Sequence, residues 1–226
     1  MTRKVAVVGN LGLHPICKLA IPARRLLAYL AINNRQALRR HAAAALWPDH
    51  PEEVGRANLR RAIWLLPPKW VICDQDTLEL DAEVDYDSAR KSAYRAIDGK
   101  ELSLEEIRVL SFDILPGWHE EWIMHQQDAF RLLRVQALEA ACMTMAKDGR
   151  FALATQAGAA ALAAEPLRES AAEALIHAHL AQRNRNEAVT CFRTFAARLK
   201  DELGVSPDPI LCERMATIGL ASNRSA

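Results

Sequence analysis

The chain has 226 residues, half of them apolar and a quarter charged, with a formal net charge of +1. That length can bury one large or two small cores, and the composition is ordinary for a globular protein. A membrane span is excluded, because no apolar run approaches the roughly 20 residues a bilayer requires, and the apolar run in MTRKVAVVGNLG is too short for a secretion signal.

The charge is unevenly spread. Residues 1–68 hold eleven Lys and Arg but three acids (Asp49, Glu52, Glu53), a balance of +8, leaving 18 basic and 25 acidic residues beyond, a balance of −7. Such asymmetry points to a nucleic-acid surface or, equally, to a solvated basic face. Five scattered cysteines (Cys17, Cys73, Cys142, Cys191, Cys212) contain no CxxC pair, which speaks for buried reduced thiols in a cytoplasmic protein and against a zinc site or disulfide framework.

In chain order, VAVVG (5–9) predicts a short strand, and Cys17 to Ile21 predicts a second, ended by Pro22. Three helices follow: 23–32, with Leu26, Leu27 and Leu30 on one face; the alanine-rich 37–47, stopped by Pro48; and one starting near Pro51 and stopped by Pro67 and Pro68. WVIC (70–73) and TLEL (77–80), joined by DQD, predict a hairpin. Beyond Asp87 the pattern is helical to about residue 220, with breaks at AIDGKE, DILPG, KDG, AEPL, RNRN and LGVSPDP.

The third helix contains RANLRRAIWLLPP (56–68). At about 100° per residue, Leu59, Ile63 and Leu66 form an apolar stripe. Arg61 falls nearly opposite, flanked by Asn58 and Arg60, with Trp64 one turn further on. Glu52 and Glu53 can pair with Arg56 but cannot reach Arg60 or Arg61. A helix with one apolar edge and Arg and Asn on the other suits a DNA major groove, where Arg pairs bidentately with guanine and Asn with adenine. Arg24, Arg25, Arg39 and Arg40 are candidate phosphate contacts, which orient a protein without reading sequence. The plainer alternative is an arginine face kept for solubility.

RRLLAYLAINN (24–34), RRHAAAALWPD (39–49) and VGRANLRRAIWLL (54–66) together resemble the OmpR-like winged-helix domain of SARP-type (antibiotic regulatory protein) transcriptional activators. LPGWHEEW (115–122), AEPLRESA (164–171) and RLKDELGVSPDP (198–209) resemble the bacterial transcriptional activator domain that follows it in that family. The resemblance covers about residues 4 to 220. It implies an activator that binds double-stranded promoter DNA, usually at direct repeats, and recruits RNA polymerase. It also implies base reading by Asn58, Arg60, Arg61 and Trp64, a wing around Asp74–Asp76, and leaves homodimerisation open. The wing departs from the family pattern: DQDTLEL is acidic at its tip and lacks the usual Gly-x-Tyr. Phosphates repel such a tip, so little wing binding is expected.

Ala154 and Ala188 stand 34 residues apart, the tetratricopeptide period. DGRFALATQAGAAALAAEP (148–166) follows that repeat in part through Phe151, Ala154, Ala161 and Pro166, while Phe192 takes the large position that Gly158 leaves empty. Helix pairs of this type bury their apolar faces by stacking and serve either as a protein-binding surface or as a purely structural module.

No catalytic constellation is evident, so an enzyme is not expected. His119, Glu120 and Glu121 lack a second histidine at 123, His177 and His179 point apart on a helix, and VVGNLG is neither a dinucleotide nor a phosphate loop. Glu105–Glu106 and Glu120–Glu121 read as solvated helix faces. No cofactor or metal is expected. Regulation is left to the protein's abundance, a small ligand or a partner.

The expected architecture is mainly α: a winged helix-turn-helix (small β-sheet, three helices, β-hairpin wing) over 1–84, an all-α tetratricopeptide-like domain over 85–221, and a disordered tail over 222–226. The expected function is a cytoplasmic, DNA-binding transcriptional regulator. The alternative is a protein-interaction adaptor whose helical domain binds a partner while DNA binding is weak or lost.

Overall fold

The computed structural model describes residues 2–223, with side chains described to residue 218. It divides into two compact units that interleave along the chain: Met1–Arg90 with Phe112–Phe130, and Lys91–Ser111 with Arg131–Ala226. The expected 84/85 boundary is contiguous; these units are not, because a later segment returns to the first.

In the first unit, β1 (Lys4–Ala6) pairs antiparallel with β2 (Gly12–His14). The predicted strand at Cys17–Ile21 does not form. Helix α1 (Ile21–Ile32) starts there instead, with Pro22 in its first turn, where a missing N–H costs nothing. Proline here opens a helix rather than ending a strand. Leu26, Leu27 and Leu30 of α1 are fully buried. Asn34 and Arg35, both at positive φ, turn the chain into β3 (Gln36–Leu38), a strand taken from the start of the predicted second helix, so α2 spans only Arg39–Leu46. Helix α3 runs Glu52–Trp64, with Pro51 as its N-cap residue.

The predicted hairpin forms as β4 (Val71–Cys73) and β5 (Thr77–Leu80), and β3 joins its far side in the order β3-β5-β4. β6 (Glu83–Val84) pairs parallel with β1, Val84 beside Val5. The fold is thus a winged helix-turn-helix: small sheets, three helices and a hairpin wing. Helix α4 spans Asp85–Ile97. The Asp85 carboxylate accepts the Val7 amide N–H at 2.8 Å and that of Val8 at 3.2 Å. Residues 112–130 return to the segment just after β1: Leu115 N donates to Val7 O (2.9 Å) and Gly9 N to Asp113 O (2.7 Å).

The second unit is helical. Its elements are the later part of α4, α5 (Leu104–Leu110), the later part of α6 (Glu121–Lys147), α7 (Phe151–Ala164), α8 (Glu169–Ala181), α9 (Arg185–Leu203) and α10 (Pro209–Asn223). Every predicted break falls between two helices. Glu106 is not a solvated-face residue: it completes a capping box with Ser103 and also accepts from Ser92 (2.7 Å) and Arg95 (2.8 Å). α10 runs to Asn223, so the first two residues of the expected tail are helical, and 224–226 lie outside the described residues.

The tetratricopeptide-like stack is α7, α8 and α9, in which Ala154, Ala161 and Ala188 are all fully buried. Gly158 is not an empty position. A Cβ there would lie 2.9 Å from Cys142 Sγ and 3.1 Å from Leu175 Cα, so glycine permits the close approach of α6, α7 and α8. Cys142 is buried, its thiol donates to Ala174 O (3.3 Å), and burial pushes its pKa up to about 12, so it stays protonated. The expectation of buried thiols fits Cys142 alone; Cys73 is exposed on β4 and the other three are half-buried. Gly158→Ala should therefore destabilise the chain by about 1–3 kcal/mol through overpacking. Urea denaturation checks this, and an unchanged midpoint would contradict the close packing.

Candidate nucleic-acid interface

The placement of α3 follows from which of its residues can be buried. Gly55, Leu59 and Ala62 lie inside, against the small side chains Ala42 and Ala43 of α2 and the apolar face of α1. Ile63 and Leu66, predicted to share the core stripe, are only half-buried. With the inner edge set by Leu59 and Ala62, the helical period carries Arg56, Arg60, Arg61 and Trp64 outward. All four are exposed, Trp64 at 82%, while Asn58 is half-buried.

The pairing of these cations differs. Arg56 forms an exposed ion pair with Glu52, one turn back, as the spacing predicts. Arg60 and Arg61 form no ion pair among the described residues.

Arg39 and Arg40 open α2, whose first turn contains no acid. Their side chains line a groove of about 530 Å³ with Arg56, Leu59 and Arg60 of α3 and Gln75 and Asp76 from the hairpin tip. The hairpin is tied to this groove through Arg39. Its backbone N–H donates to Asp76 O at 2.9 Å, and its guanidinium donates to Asp74 O at 3.4 Å. The tip is closed by Asp74 N donating to Thr77 O (3.0 Å) and by Gln75 N donating to the Asp74 carboxylate (2.8 Å). Four arginines therefore converge on one concavity, with an acidic wing tip at its edge.

Arg24 and Arg25 are not part of that groove. They lie beside a separate cleft with Ile21, Gly117, Trp118 and Glu120. Arg24 is exposed, but the Arg25 Nε donates to the Glu120 carboxylate at 3.1 Å and its side chain keeps only 23% exposure. Glu120, expected on a solvated face, is thus a structural partner. Its position 95 residues away left no signal in the spacing of charges.

Residues 81–218 match the family described as the bacterial transcriptional activator domain, more than half of the chain. Among solved structures, Mycobacterium tuberculosis EmbR in complex with a low-affinity phosphopeptide superposes with a TM-score of 0.65 at 21% identity. That match covers 96% of this chain and 64% of the EmbR chain, so this chain spans just under two thirds of that relative's length, and the likeness speaks for the fold. No curated protein matches. No described helix is long and apolar enough to cross a membrane.

Alanine at Arg60, Arg61 or Trp64 should leave stability within about 0.5 kcal/mol, since none of them holds the fold together. Arg25→Ala, which leaves Glu120 without its partner, should cost about 1 kcal/mol or more. Chemical denaturation of the four variants checks the distinction, and a marked destabilisation at Arg60 or Arg61 would show that they are structural. With its winged helix preceding the matched domain, the chain belongs to the bacterial transcriptional activator domain family.

Proposed function

We propose that this regulator binds promoter DNA by inserting α3 into the major groove and activates transcription by recruiting RNA polymerase. The observation that carries the reading is the outward face of α3: Arg60, Arg61 and Trp64 exposed, with neither arginine compensated by a carboxylate. Arg60 and Arg61 donate to base edges and Trp64 contacts the groove wall. Half-buried Asn58 reads a base only where its amide edge clears the helix surface.

Arg39 and Arg40 bind phosphate. They sit at the N-terminal end of α2, where the helix dipole already favours an anion. Arg56 has a weaker part, because Glu52 offsets its charge. Arg24 is left as a peripheral phosphate contact, and Arg25 drops out of the interface because Glu120 holds it. Polymerase recruitment and binding to direct repeats, one copy beside another, are supported by the family alone.

The adaptor reading, in which the helical unit binds a protein and DNA affinity is vestigial, is favoured by one observation. Asp74 and Asp76 put two carboxylates at the wing tip, where a DNA backbone would pass.

Selection of bound sequences from random duplexes by the full chain should recover a direct repeat. On that DNA, Arg60→Ala and Arg61→Ala should each weaken binding by about 1–3 kcal/mol, roughly five- to 150-fold. Arg39→Ala and Arg40→Ala should instead weaken all sequences alike and flatten the log–log salt dependence by about 0.9 for each phosphate no longer neutralised. Unchanged affinity in both α3 variants, or a flat salt response, would overturn the DNA-binding reading and leave the adaptor.

A further inference from the structure

The first unit carries a further cleft, of about 770 Å³ and larger than the arginine groove, that the DNA-binding face does not use. Its walls come from three parts of the chain: α1 through Arg25 and Tyr29, α2 from His41 with the loop that follows it to His50, and Glu120 with the first turns of α6. That volume lies within the usual range of small-molecule sites. Much of the lining is apolar or aromatic. Tyr29 and Trp122 meet edge to face with ring centroids 5.4 Å apart, and half-buried Trp47 joins them in the wall. The Trp122 indole N–H is buried without an acceptor.

The charge in the cleft is unbalanced. Its one cation among Lys and Arg, Arg25, is already committed to Glu120 at 3.1 Å. That leaves the carboxylates of Asp49 and Glu121, both exposed and neither in an ion pair among the described residues. His41, His50 and His125 also line it. An anion entering here would meet two unpaired carboxylates.

We propose that this cleft binds a small organic cation, an amine or quaternary ammonium carried on an apolar or aromatic body. The cationic head is attracted to the aromatic side chains of the wall, Trp47 and Trp122, and to the Asp49 and Glu121 carboxylates, while the body covers the apolar floor. The site is separate from the arginine groove, so it stands or falls without reference to DNA.

The test is a titration of the full chain with benzyltrimethylammonium chloride at constant ionic strength, followed by indole fluorescence and by thermal midpoint. Benzoate and benzyl alcohol serve as the anionic and neutral probes of similar size. Saturable binding of the ammonium probe is expected, with a Kd of about 1 mM or tighter, and at least about tenfold weaker binding of the other two. Asp49→Asn and Glu121→Gln keep shape at exposed positions, and each should weaken the ammonium several-fold while benzyl alcohol is unaffected. No saturation, equal binding of the three probes, or unchanged affinity in both variants would overturn the proposal.

Discussion

The seating of α3 on α2 is the contact from which the rest of the interface follows. Burying Leu59 contributes about 1.5–3 kcal/mol, and Gly55 and Ala62 extend the same edge against the alanines of α2. Turning the helix to bury an arginine instead would strip a cation of water without a partner, at a cost that no apolar gain on this short helix could match. The charged face is therefore turned outward by the packing of the other face. Helix α2 in turn places Arg39 where it holds the hairpin tip, so the wing, the basic groove and α3 share one support.

A second support comes from residues 112–130. The Gln127 side chain donates to three carbonyls in the preceding loop, of Ile114, Leu115 and Trp118, and so fixes the loop's path. That places Trp122 against Tyr29 and Trp118 against Trp122, and brings Glu120 to Arg25. The LPGWHEEW segment, which the sequence offers only as a family signature, is physically a brace for α1. Within the second unit, Gly158 plays the comparable role of letting three helices approach closely.

Helix breaks were legible because glycine and proline act locally, and every predicted break separates two helices. Short strands were less so. Gln36–Leu38 and Glu83–Val84 are too brief for period-two alternation to show, and each is a strand only because a distant partner hydrogen-bonds to it. Cys17–Ile21 had strand-like residues but no partner, and Pro22 was better used in the first turn of α1. The candidate site divides along the same line. Arg60, Arg61 and Trp64 could be placed from helical period alone, whereas the capture of Arg25 by Glu120 depends on an ion pair across 95 residues. Ser103 and Glu106 carry a readable signal, the Ser-x-x-Glu spacing of a capping box, which the reading of Glu105–Glu106 as a charged face does not use.

The central claim, that the arginine face of α3 is open in the unbound chain and covered by DNA, is tested most directly by arginine-selective chemical modification read by mass spectrometry. With phenylglyoxal, Arg60 and Arg61 should react readily in the chain alone and be protected by a selected duplex, while Arg25, held by Glu120, should react slowly in both states. Arg60 and Arg61 that resist modification without DNA, or that react equally with and without it, would contradict the account.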